Sequence, residues 1–163
     1  MRALTAFAAA AMIAGAGQAQ DALVTYKTLS LDMALELAQG ALKACRDLGY
    51  QAAVAVVDRS GVTQVVLRDR FAGPHTVPTA TGKAWTAVTF RANTSQLLQF
   101  SGPGMPQSGI RELPNVVIIG GGMLVEAGGA IVGAVGVSGA PGGIEDDKCA
   151  HAGIEAVRAK LEF

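Results

Sequence analysis

Short runs rich in valine and alanine, separated by turns that carry glycine, fall into two blocks of this 163-residue chain, and the stretches around them repeat at helical spacing. That alternation limits the chain to a mixed architecture in which strands pair with near neighbours. In the first block, Gln51 to Val57 and Val62 to Leu67 flank Asp58-Arg59-Ser60-Gly61, the chemistry of a β-hairpin turn. In the second, Val116 to Ile119, Met123 to Val125 and Ala130 to Val137 read as three strands of a meander, the last two joined by a tight Gly128-Gly129 turn. Hairpin and meander predict an antiparallel sheet.

The helices bracket these blocks. After an extended lead, Asp21 to Thr28, residues Leu31, Ala34, Leu35, Ala38, Ala41, Leu42, Cys45 and Leu48 form one apolar stripe, with Ser30 as N-cap and Gly49 as the stop. A second helix is predicted from Thr79, through Ala84, Trp85, Ala87 and Val88, followed by a short apolar helix or turn at Leu97, Leu98 and Phe100. Ser101 to Ser108 is a Gly/Pro-rich crossing. A terminal helix follows Pro141-Gly142-Gly143, with Glu145, Asp146 and Asp147 suited to its positive end. Two strand blocks among four helical segments define an α+β layer fold.

Composition narrows the function. Residues 1–19 pair a lone charge, Arg2, with a small and apolar run and with Gly17 and Ala19, the pattern of a cleaved export signal. The run is too short and alanine-rich for a membrane span, which needs roughly 20 predominantly apolar residues. The expectation is a single domain over residues 20–163, periplasmic or secreted, with no membrane anchor. Without Arg2 the chain carries 12 basic against 13 acidic side chains. No basic stripe is present to gain affinity from phosphate backbones, so nucleic acid is not an expected partner.

Several motifs fail as chemistry. The glycine-rich string from Gly133 to Gly143 lacks a Lys-Ser/Thr pair, and three carboxylates follow it; close packing of a strand against its neighbours explains it better than a phosphate loop. Ser138 lies in Gly-Val-Ser-Gly-Ala rather than a nucleophile elbow, and the two histidines and two cysteines show no close pair for zinc. Cys45 and Cys149 either close a long disulfide loop in an oxidising compartment or sit apart as buried helical thiols.

His75 is the most informative single residue. It lies in a Gly-Pro-His-Thr loop near Phe71, Trp85, Arg68, Arg70 and Lys83. An imidazole on a loop suits haem iron, aromatic side chains suit a porphyrin face, and cations suit its propionates. The competing reading is a solvated loop histidine. Met105 and Met123 are alternative soft ligands or core fillers, Arg111 a further loop cation, and His151 a surface or packing residue of the last helix.

Three segments carry a resemblance: Val56-Val57-Asp58-Arg59-Ser60-Gly61 with Arg68-Asp69-Arg70; Thr81-Gly82-Lys83-Ala84-Trp85-Thr86-Ala87; and Gly120-Gly121-Gly122 with Val132-Gly133-Ala134-Val135-Gly136-Val137-Ser138-Gly139-Ala140. Together they resemble the GlcG/HbpS family, which includes the C-terminal domain of PduO-type proteins, over about Leu31 to Leu161. The resemblance implies a profilin-like α/β/α sandwich with a five-stranded antiparallel sheet, homo-oligomers of up to eight subunits, and haem binding, sometimes with slow haem degradation. Gly121-Gly122-Met123-Leu124 lacks the proline that relatives often carry at the entry to the fourth strand, which alters the stiffness of that loop.

The leading expectation is an exported haem-handling protein. In it His75 ligates iron, Arg68, Arg70 or Lys83 meets propionates, and Phe71 and Trp85 cover the ring. Two others stand beside it: a small-molecule enzyme or accessory protein, for instance on a 2-hydroxy-acid pathway, with Asp58, Arg70 and Lys83 in a polar pocket; and a structural oligomer with no ligand.

Overall fold

A computed structural model describes residues 23–162, so the leader expected over residues 1–19 lies outside the described residues. The elements run α1 (Leu31–Asp47), β1 (Ala53–Asp58), β2 (Thr63–Arg68), α2 (Thr76–Phe90), α3 (Thr94–Phe100), a short 3-10 turn (Ser108–Glu112), β3 (Gly122–Ala127), β4 (Ala130–Ser138) and α4 (Gly143–Leu161). Ser30 caps α1 by accepting from Met33 N, and Gly49, at φ +84°, follows its end. The helix buries Ala34, Leu37, Ala38, Ala41, Leu42 and Cys45. Leu31, Leu35 and Leu48, expected in that stripe, are exposed, and Leu37 is buried instead. The buried arc is rotated because α4 packs alongside α1 and covers its flank.

The sheet has the order β2-β1-β4-β3, with every pair antiparallel. β1 is central, and its residues 53–57 are buried on both faces. Val54 and Val56 join Val135 and Val137 of β4 in a core beneath α1 and α4. Ala53, Ala55, Val57 and Ala134 face the other way, against Ala80, Ala84, Ala87 and Val88 of α2. This period-2 division of the strands makes an α/β/α sandwich, with α1 and α4 on one side and α2 on the other.

The sheet has four strands, not five. Residues 116–119, expected as a strand, run beside α2 without joining a ladder: Val117 N donates to Thr86 Oγ1 at 2.9 Å. Nor is the outer edge of β3 open to a fifth strand. Gly122 N donates to Thr94 Oγ1 and Leu124 N to Asn93 Oδ1, each at 2.9 Å, so side chains at the start of α3 take up the edge donors.

Two close approaches explain much of the glycine. A Cβ on Gly136 would lie 2.0 Å from Ala80 O, so α2 can rest on β4 only where that side chain is missing. A Cβ on Gly153 would lie 2.7 Å from Ala41 Cβ, which lets α4 and α1 touch closely. Cys45 and Cys149 form a disulfide across this same helix pair.

Candidate functional site

A cavity of about 650 Å³ opens where β4 ends and where α2 and α4 begin. Tyr50 and Gln51 line it from the entry to β1, Phe71 and Gly73 from the loop before α2, and His75, Thr76, Thr79 and Lys83 from α2 and its first flanking residue. Ile119, Ser138, the loop 139–142, Gly143 and Asp146 complete the lining.

The loop that carries Phe71 and His75 is braced at several points. Buried Asp69 accepts from Arg46 Nε at 2.8 Å, and Asp69 N donates to Ala52 O at 2.9 Å. Arg68 Nη1 donates to Ala72 O, and Thr76 Oγ1 to Gly73 O at 2.7 Å. The helix α2 begins at Thr76, three residues earlier than its apolar pattern suggested, which places His75 at the N-cap. Its imidazole makes no capping hydrogen bond and lies over Gly73, where a Cβ would sit 2.6 Å from the ring. Phe71 is 79% exposed beside it.

A buried ion pair underlies the cavity. Lys83 is 1% exposed, and its Nζ donates to Asp146 Oδ2 at 2.7 Å and to Val137 O at 2.8 Å. Ala140 N donates to the other Asp146 oxygen at 3.0 Å. One cluster therefore ties α2, the end of β4 and the first turn of α4 together. Burial pushes the Asp146 carboxyl above its ordinary value, while the Lys83 hydrogen bond and charge pull it back down.

Of the residues singled out in the sequence, His75, Phe71 and Lys83 share this cavity. Arg68 and Arg70 are not in its lining; Arg68 is committed to the loop carbonyl, and Arg70 is exposed. Trp85 lines a separate cavity of about 470 Å³ with Gly61, Pro78, Thr81, Asn115 and Val117. Asp58 accepts from Ser60 N and Val62 N in the hairpin turn, so Asp58, Arg70 and Lys83 do not form one polar pocket. Arg111 donates to Ser101 O, Met105 is exposed, Met123 packs against the core, and His151 is exposed 3.5 Å from Glu155.

The sequence did not single out Asp146 or the contribution of Ser138 to the lining. Asp146 stands between two other acidic residues, and only burial separates it from them. Ser138 follows Gly136 by two residues on the same face of β4, so its side chain turns toward α2; that alternation was the available signal.

Residues 29–155 match the family described as haem degrading protein HbpS-like. The chain belongs to the HbpS-like family. Its curated relatives include an uncharacterised 15.0 kDa protein from the dhaT-dhaS intergenic region of Citrobacter freundii. That protein is 32% identical over 124 residues, which cover 74% of this chain and 85% of the relative. The structure of a double mutant of Streptomyces reticuli HbpS superposes with a TM-score of 0.78 at 37% identity, covering 92% of this chain and 99% of that one. A structure of PduOC in complex with haem gives a TM-score of 0.74 at 28% identity, covering 79% and 94%. Among the described residues no helix is long and apolar enough to cross a membrane.

Proposed function

We propose that this HbpS-like protein is exported and binds haem, with His75 as the ligand to iron and Phe71 lying over the ring. The observation that carries the reading is the cavity itself. It brings an imidazole with no cap hydrogen bond, an exposed aromatic ring and the exposed Ile119 into one lining, in a chain whose structural neighbours include a haem complex. Its volume falls in the ~300–1,000 Å³ range of small-molecule sites. Gly73 keeps the space that the imidazole occupies, so these residues fit the group. Bound haem would supply an iron centre with its own redox chemistry and a strong visible spectrum. The chain's part is to offer the ligand atom, shield one face and hold the loop in place through Asp69 and Arg68. Arg70, exposed in that same loop, offers a cation at the surface.

Export is supported by the leader and by the Cys45–Cys149 disulfide, since such bonds persist in oxidising compartments. Self-association, which the family resemblance implies, is part of the same proposal. The test is a titration of leader-free protein with haemin, read by the Soret and visible bands, with mass measured by light scattering before and after. Saturable one-to-one binding whose ligand-field spectrum changes in His75→Ala is the expected result. An identical spectrum and affinity in the variant removes His75 as ligand, and a spectrum equal to that of haemin alone removes the haem reading.

A further inference from the structure

Ser138 is 6% exposed and lines the cavity, and among the described residues its hydroxyl makes no hydrogen bond to protein. Among the described residues no fully enclosed side-chain polar atom lacks a partner, so the Ser138 Oγ meets the cavity space. In a residue nine-tenths buried, that leaves the hydroxyl a donor with no protein partner, free to bond whatever enters the cavity. Lys83 stands in the same lining with two of its three N–H donors engaged, by Asp146 and Val137 O. The first turn of α4 adds no unmatched positive charge there, because Glu145 and Asp146 stand in it and Glu145 Oε2 reaches back toward Gly142, so the donors left to a ligand are the side chains of Ser138 and Lys83.

We propose that the floor of this cavity is a carboxylate subsite, in which the Ser138 hydroxyl and the remaining N–H of Lys83 donate to a carboxylate of an otherwise apolar ligand. Asp146 is the one carboxylate in the described lining, and both of its oxygens are already occupied, one by Lys83 and one by Ala140 N. Its charge is therefore matched before a ligand arrives. The mouth is of the opposite character, with the exposed Phe71 and Ile119 beside it. An acid head at the floor and an apolar body at the mouth describe two sources of the same chemistry: a haem propionate, or a free apolar carboxylic acid. The inference shares its cavity with the haem reading and adds to it the seat of the acid group.

The test uses Ser138→Ala, which breaks no hydrogen bond within the protein and so leaves the fold intact. Four probes are titrated by calorimetry: haemin, haemin dimethyl ester, 4-phenylbutyrate and 4-phenylbutyramide. One hydrogen bond to a charged group predicts a loss of about tenfold to a hundredfold in affinity for the free acid, and no loss for its ester or amide. That pattern with haemin assigns the subsite to a propionate. The same pattern with phenylbutyrate alone, haemin failing to bind, sinks the haem reading and keeps the carboxylate subsite. If haemin binds with its His75-dependent spectrum but is indifferent to Ser138, the haem reading stands and the subsite is overturned. Equal losses for acid and ester, or no binding by any probe, overturn it as well.

Discussion

Replacing Lys83 by methionine isolates the electrostatics beneath the cavity, because methionine keeps much of the buried stem and removes the ammonium. Both partners of the pair are nearly inaccessible, at 1% and 5% of side-chain exposure. The variant therefore strands the Asp146 carboxylate in a medium that solvates it poorly, and Val137 O loses its lysine donor. Removing one partner of a buried pair costs about 3–5 kcal/mol. For a domain of this size that lowers Tm by on the order of 10–20 °C. The pH dependence follows from the direction of the Asp146 shift. A carboxyl whose folded value is raised by burial costs stability when it ionises. That cost is absent below the ordinary carboxylate range and grows as pH rises from there through the raised folded value. In Lys83→Met the opposing pull of the ammonium is gone, the window widens, and the variant closes part of its deficit as the pH falls from about 7 toward about 4. Adding Asp146→Asn removes the stranded charge while leaving an oxygen for Ala140 N, so the double variant recovers more than half of the loss at neutral pH. Urea melts across pH are the assay. A single variant within about 1 kcal/mol of the parent, or a double variant no better than the single, refutes the reasoning.

Two further outcomes follow from packing and covalent structure. Cys45→Ala/Cys149→Ala opens a loop closed across 104 residues, and the chain-entropy account puts the loss at about 4–5 kcal/mol; the parent protein in reductant should melt at the same urea concentration as the variant. Gly136→Ala places a methyl against the backbone of Ala80 and Ala84 and forces α2 off the sheet, at about 1–3 kcal/mol or more, whereas Gly109→Ala, with open space around it, stays within about 0.5 kcal/mol in the same melts.

Most of the local architecture was legible because it rests on periodicity and turn chemistry, which act between near neighbours. The Ser30 cap and the small-residue stripe announced α1, Asp58-Arg59-Ser60-Gly61 announced the hairpin, and the glycine string was read as close packing, which Gly136 against Ala80 bears out. Phe71, His75 and Lys83 could be picked out because they lie within thirteen residues of one another around a loop and the start of a helix. What resisted reading depends on groups that meet from far along the chain. Residues 116–119 have a strand's composition, but Asn93 and Thr94 take the edge donors of β3 and Thr86 takes Val117 N, so no ladder forms there. Trp85 is only two residues from Lys83, yet helical geometry turns it to a different cavity. Asp146 differs from Asp147 and Glu145 only in facing Lys83, 63 residues away, and the pairing of Cys45 with Cys149 waited on α1 and α4 packing side by side. Chain-local forces chose the elements; burial and partnership across the fold chose which side chains reach the cavity, because desolvation and hydrogen bonding are settled only when distant segments come together.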